Sequence, residues 1–512
     1  MLLLGIDLGT SSVKVSVLDA ATQRCLVSVS YPETEREIRS LQPGWAEQSP
    51  RQWWHDVQEA IRRANATQAY NPAEIGAIGI AYQMHGLVLV DAANEVLRDS
   101  IIWCDSRAVP YGDEARLAIG EERCQTHLLN SPGNFTAAKL AWVKAVEPAV
   151  YERIAKVLLP GDFLALQLTG AATTSISALS EGIFWDFARH ELSEDVFRFF
   201  GFEPALIPPV QDVFAAHGHL QTAVAQELGL RAGIPVSYKA GDQPNNALSL
   251  NVLQPGEVAA TAGTSGVIYA VTDQLFVDEK SRVNAFAHVN HTAEQRRLGV
   301  LLCINGTGSL NRWLRGVAAP ELSYAQVNER AAAVPVGSDG LLCLPFGNGA
   351  ERMLENQQVG AHFHDIDFNV HTPGHLLRAA QEGIAFAFRY GLDLMRAGGL
   401  YPTVVKAGYT NMFLSDVFAQ AFADVTGLAV ELYQTDGSVG AALGAGIGAG
   451  IFATSDEAFR HMRRLRLVSP GPAAAAYETH YQRWKTHLLQ RLPATLPQPT
   501  HHAERSEASL PH

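Results

Sequence analysis

The apolar positions change rhythm within the first nineteen residues. MLLLGIDLG is almost continuously apolar up to Asp7. After a small-residue turn, Val13, Val15 and Val17 alternate with Lys14 and Ser16. An apolar run, a glycine turn and a two-residue alternation predict a β-hairpin that opens an antiparallel pair. EVAATAGTSGVIYAVTD, residues 257–273, repeats the plan. Laid over LGTSSVKVSV (8–17), AGTSGVIYAV (262–271) matches Gly9 with Gly263, Thr10 with Thr264 and Ser11 with Ser265. Val13 and Val17 fall on Val267 and Val271, an offset close to half of the 512-residue chain.

Between the two copies, strand-like AIGIAYQ and GLVLVD alternate with helical stretches. One of these, PRQWWHDVQEAIRRA, opens at Ser49-Pro50, an N-cap followed by proline in the first turn. In the second half TPGHLLRAAQEGIAFAFRYGLDLMRAGG is helical and TVVKAG strand-like. Strands alternating with helices predict α/β layers. Turn residues in GDQPNN (241–246) and LQPG (253–256) mark a boundary. The predicted domains are 1–250 and 251–490. Residues 491–512, rich in proline and polar residues without periodicity, are expected to be a disordered tail.

Composition narrows the function classes. With 52 acidic and 39 basic residues the net charge is −13, which argues against a nucleic-acid partner or an anionic membrane surface. An anionic substrate would need local help from backbone N–H groups or a metal. The five cysteines (Cys25, Cys104, Cys124, Cys303, Cys343) are scattered, odd in number and never at CxxC spacing. They predict no disulfide framework or structural zinc, a reducing, cytoplasmic compartment, and packing roles. The N-terminus lacks a basic leader, and no apolar run approaches the ~20 residues of a membrane span.

A hairpin tip free of bulky side chains exposes backbone donors, and threonine and serine hydroxyls add more; such a concavity suits phosphate oxygens. The copies differ at one position: Asp7 stands two residues before Gly9, where the second copy has Thr261. A carboxylate at a phosphate-binding turn requires a divalent cation between it and the ligand. Asp7 is therefore read as the magnesium-side residue. Gly-Lys never occurs, so there is no Walker A loop, and GSVGAALGAGIGAG (437–450) does not space its glycines as GxGxxG. That run predicts a helix face packed close against a neighbour.

These segments resemble the FGGY carbohydrate kinases. GIDLGTSSVKVSVLD, PGWAEQSPRQWW, GIAYQMHGLVLVD and the GDQ…AGTSG pair carry the resemblance in order, with IIWCDSRA and NFTAAKLAWV between them, over roughly residues 1–450. The resemblance implies two ribonuclease-H-like, actin-like ATPase domains of α/β class, with sugar and ATP in the cleft between them. It makes Asp242 the general base, a role that a helix N-terminus would support by keeping the carboxylate ionised. Gln83, Met84, His85, Trp103, Asn134, Asp242 and Gln243 are implied at the sugar, with Asp105 and Arg107 shaping its pocket. Trp103 is equally well read as a core residue. Met-His-Gly is similar to the xylulokinase branch, which implies D-xylulose, ATP and Mg²⁺.

Thr10, Ser11, Ser12, Gly263 and Thr264 are implied at the phosphates, and Gly308, Asn311, Gly408, Tyr409 and Asn411 around the nucleoside. Departures occur at Lys406 and Ala407, which replace glycines of the family pattern. They also occur in KAGDQPNN and in LPFGNGAERM, which keeps Glu351-Arg352 in altered surroundings. Other acceptors (ribulose, gluconate, glycerol) and an actin-like ATPase module without a sugar substrate are the competing readings. Dimers are common among such kinases, so a homodimer is an option on which the sequence is silent.

Overall fold

The computed structural model describes residues 1–493; the expected disordered tail lies outside the described residues from 494 onward. Each apolar alternation becomes the centre of a mixed sheet. The first sheet runs in the order Cys25–Tyr31, Val13–Asp19, Leu2–Leu8, Ile75–Tyr82, Val236–Gly241. Its first three strands are antiparallel and the last two run parallel to Leu2–Leu8. The second sheet contains the same series: Leu298–Ile304, Gly266–Thr272, Val258–Ala262, Val404–Gly408, Ala429–Tyr433. Asn284–Ala287 and Arg464–Val468 extend its two edges. This duplicated topology is the ribonuclease-H-like, actin-like ATPase plan.

Leu2–Leu8 is a near-continuous apolar run because it is central and covered on both faces, with Leu3, Leu4, Ile6 and Leu8 fully buried. Helix Pro50–Ala66 seals one face, packing Trp53, Val57, Ala60 and Ile61 against Val13, Val15 and Ile80. Ser49 holds the N-cap position in extended backbone without a side-chain cap bond, so Pro50 is what marks this start.

The glycine-rich run folds as helix Gly437–Gly448, which follows the fifth strand of the second sheet but packs on the first. Gly5 and Gly79, paired across neighbouring strands, form its seat. A Cβ at Gly5 would lie 1.8 Å from the Ser438 carbonyl oxygen, and one at Gly79 2.0 Å from that of Ala441. Neither backbone can retreat, so only glycine fits. Helix Asp242–Ser249, which follows the fifth strand of the first sheet, reciprocates: Ala247, Leu250 and Val252 cluster with Ala259, Tyr269, Val271 and Tyr433 of the second domain. Each domain thus anchors the helix that follows the fifth strand of this series against the other domain.

Gly79→Val is expected to lower the melting temperature by at least several degrees, or to prevent folding, since overpacking against backbone costs roughly 1–3 kcal/mol or more. Gly316→Ala, in open space on a helix, should leave it unchanged or raise it. Thermal denaturation of the two variants checks this, and equal melting temperatures would contradict the seat.

Candidate active site

The tip of the second hairpin is a partition. Ala262, Gly263 and Thr264 line a cavity of about 480 Å³ together with Gly308, Asn311 and Asn411. Thr261, Ser265 and Val267, from the same hairpin, line a second cavity of about 480 Å³ with Asp242, Gln243, Met84, His85, Trp103 and Asn134. The N-terminus of helix Gly308–Ala318 holds the tip in place. Gly308 N–H donates to the Gly263 carbonyl (2.9 Å) and Ser309 N–H to that of Thr264 (3.1 Å). A side chain at 308 would meet the Gly263 carbonyl oxygen at 2.3 Å, so the approach depends on glycine. Ser309, Arg312, Tyr324 and Asn328 also line the first cavity. No motif in the sequence singled them out, because they come from two helices brought together only by folding.

The acids converge at the floor of the cleft. Gly241 ends its strand and serves as N-cap, leaving Asp242 at the first helical position. Burial pushes Asp242 up to about 6, against the lowering effect of hydrogen bonds from Gln243. Loss of water outweighs these hydrogen bonds, yet at about 6 the carboxylate is still mostly ionised at neutral pH, as expected for it. Asp7 is pushed up further, to about 7, by burial and then by the negative charges of Asp242 and Asp436, with Lys14 opposing them. Lys14 is itself committed to Asp436 at 2.5 Å. Among the described residues no cluster of three or more His, Cys, Asp or Glu side chains could hold a metal. Asp7 lines none of the three cavities described for the two hairpins, but a surplus of carboxylate at this point fits a hard divalent cation.

His85 lies in the left-handed region (φ 62°). Two donors hold that conformation: the Lys139 ammonium at 2.9 Å and the Thr136 hydroxyl at 3.2 Å both bond the His85 carbonyl. Lys139 is fully buried, and burial lowers it to about 7. His85 Nδ1 lies 2.9 Å from the Glu181 carbonyl oxygen, so Nδ1 carries the proton and Nε2 is left as an acceptor. Burial, then Lys139, hold this imidazole at about 3, hence neutral. The rings of Phe135 and Phe286 fix its plane at 4.9 and 5.4 Å. Asn134 Oδ1 and Gln243 Oε1 are buried without a protein partner, and both residues line the same cavity.

Several expected residues lie elsewhere. Trp103 is not a core residue: it is 47% exposed, lines the Asp242 cavity and donates its indole N–H to Thr10 Oγ1 at 2.9 Å. Gln83 lines neither cavity. It is buried, donates to Gln48 Oε1 at 2.9 Å, and so supports the first hairpin instead. Gln48 in turn donates to the Thr10 carbonyl (2.6 Å) and accepts from Trp53 (3.0 Å). This explains the WAEQ and WW segments, whose support role sequence reasoning missed.

Asp105 and Arg107 form a buried cluster with Glu47 behind the wall. Thr10 and Ser12 line a separate 230 Å³ cavity, and the Ser11 carbonyl accepts Arg36 N–H at 2.8 Å. Gly408 and Tyr409 also miss the cavities. Tyr409 is 40% exposed with its N–H on the Tyr433 carbonyl, because the chain turns only at Thr410 and Asn411. Cys25 and Cys104 are exposed, contrary to the packing expectation, whereas Cys124 and Cys343 are buried.

Comparison with known proteins follows the same division. Residues 2–249 match the N-terminal domain, and residues 258–451 the C-terminal domain, of the FGGY family of carbohydrate kinases. The chain is 31% identical over 466 residues to a xylulose kinase of Escherichia coli, covering 89% of this chain and 90% of that one. A xylulose kinase of Bacillus subtilis is 30% identical over 463 residues, covering 89% of each. The crystal structure of a xylulose kinase from Rhodospirillum rubrum superposes with a TM-score of 0.85 at 28% identity, over 96% of this chain and 99% of that one.

The Asp7 shift has a stability consequence. The carboxyl titrates at 3.8 unperturbed and at about 7 in the fold. Folding therefore takes up a proton between those values, and stability falls as pH rises through them. At pH 8 the ligand-free Asp7→Asn variant should melt several degrees above wild type, with the difference vanishing near pH 4. Scanning calorimetry at both pH values checks the sign; a variant less stable at pH 8 would refute it.

Proposed function

The chain belongs to the FGGY family of carbohydrate kinases, and from that premise we propose that it transfers the γ-phosphoryl group of ATP to a terminal hydroxyl of D-xylulose. The supporting observation is the partition: one hairpin tip has a cavity on either side, and Asp242 stands in only one of them. A nucleotide in the first cavity would direct its phosphates past Gly263 and Thr264 toward a sugar in the second. Relatives named xylulose kinase over nearly the full chain favour this acceptor.

In this reading Asp242 accepts the proton of the attacking hydroxyl. Its pKa of about 6 leaves it ionised near neutrality yet more basic than an exposed aspartate. A stronger base is unnecessary, because phosphoryl transfer passes through a loose transition state in which placement and charge compensation dominate. His85 Nε2 accepts from a sugar hydroxyl, and the unpartnered Asn134 and Gln243 oxygens accept from others. Thr264 and the backbone donors of the second hairpin receive phosphate oxygens. Closure of the domains brings Thr10, Ser11 and Ser12, which line neither cavity, over the same phosphates and excludes water, the competing acceptor. Asp7 holds Mg²⁺, which when bound neutralises phosphate charge and relieves the repulsion among Asp7, Asp242 and Asp436.

Trp103 couples the two ends by joining the sugar wall to Thr10. Among the described residues no helix is long and apolar enough to cross a membrane. The five free cysteines suit a reducing compartment, and this supports reading the protein as a cytoplasmic enzyme of xylose metabolism.

Asp242→Asn should bind sugar and ATP with near-normal affinity while losing about 10³-fold in kcat. In wild type kcat/KM should fall tenfold per pH unit below about pH 6, as Asp242 is protonated. Calorimetric titration with initial rates over D-xylulose, ribulose, gluconate and glycerol tests both claims. An active D242N variant removes the base, and turnover of another acceptor alone removes D-xylulose.

A further inference from the structure

The Glu-Arg pair of LPFGNGAERM is not an ion pair. Glu351 is fully buried, and both its carboxylate oxygens lie 3.1 Å from the Asn305 N–H. It thereby fastens the loop that follows strand Leu298–Ile304. Arg352 opens the turn Arg352–Leu354, and its side chain lines the Asp242 cavity. Its guanidinium carbon lies 5.9 Å from the ring centroid of Phe135, across the cleft in the N-terminal domain. Burial lowers its pKa, and the group that offsets this is the Cys303 thiol, not a carboxylate. Among the described residues its guanidinium has no hydrogen-bond or ion-pair partner, unlike Arg107 and Arg378, whose charges are matched by Glu47, Asp105 and Glu382. A half-buried guanidinium that lines the cavity with no carboxylate beside it keeps its donors open to whatever enters.

Its place within the cavity limits which ligand atoms it reaches. Its guanidinium faces the Phe135 ring, whose centroid lies 4.9 Å from that of His85, so Arg352 stands on the His85 side of the cavity. His85 Nε2 can only accept, while Arg352 can only donate, through a planar fork suited to two adjacent oxygens. We propose that Arg352 is a sugar-binding residue contributed by the C-terminal domain, donating to neighbouring oxygens of a polyhydroxy ketose on the His85 side of the cavity. This rests on the kinase reading of the cleft. It makes the acceptor site complete only when both domains bear on the sugar: His85 and Asn134 from one domain, Arg352 from the other. The contact is also a reason for sugar to favour closure, since it is made only where the domains meet.

The test compares wild type with Arg352→Lys and Arg352→Met, with sugar and ATP varied separately and melting temperatures measured without ligand. The wild-type panel first identifies the sugar accepted. If that is not D-xylulose, the substrate reading fails, and the Arg352 comparison proceeds with the sugar that is accepted.

The expected result is a sugar kcat/KM about 100-fold lower in R352M, carried mainly by KM, and about 10-fold lower in R352K, which keeps charge but not the fork. KM for ATP should stay within about twofold. Millimolar guanidinium should restore part of the R352M rate. An unchanged sugar KM in both variants overturns the proposal. So does a parallel rise in both KM values with a lower melting temperature, which marks a framework role. If R352M does not fold, R352K decides by the same criteria.

Discussion

Everything at the catalytic floor depends on one steric constraint, the contact of helix Gly437–Gly448 with a sheet surface that has no side chains at Gly5 and Gly79. Carbonyl oxygens of the helix occupy the space in which Cβ atoms would stand. Because that helix begins at Gly437, directly against the Asp7 carboxylate, the contact also fixes an acid of the first domain against the second. The reciprocal helix carries Asp242 at its first position. Each domain in this way lends the other the helix that follows its fifth strand, and the acids stand at the edge of that seat.

The same closeness explains why the acids are poor acids. Asp7, Asp242 and Asp436 share one neighbourhood with a single lysine, and burial raises two of them toward neutrality. A fold selected for stability alone would not gather them. Perturbed, mutually repelling carboxylates in a cleft are what a site prepared for a cation and a proton transfer requires. The energetic penalty falls on the ligand-free protein and is relieved on binding.

The acceptor side follows another logic, in which polar groups are fixed and then left incomplete. His85 is held in a strained backbone conformation by Lys139 and Thr136, given its tautomer by the Glu181 carbonyl, and clamped by two phenylalanine rings. Around it remain the open acceptors of Asn134 and Gln243 and the unmatched donors of Arg352. On the proposed function, a surface of rigid acceptors and one donor fork would discriminate among polyols by unmet hydrogen bonds, which are costlier to leave than to form.

The sequence by itself determined the architecture and the family. Period-two alternation around Gly9 and Gly263, and the substitution of Thr261 for Asp7, are local features that are read before folding. The apolar strands, the boundary near 250, and Asp242 beside a helix start follow for the same reason. Only the tertiary structure decided which side chains face the ligands. Gln83 turned from sugar to hairpin support because its amide found Gln48, 35 positions earlier in the chain but adjacent in space. Trp103 came to the surface, Tyr409 was spared by a turn one residue later, and Arg352 crossed to Phe135 of the other domain. Those outcomes depend on distances between elements remote in the chain, and periodicity carries no information about such distances.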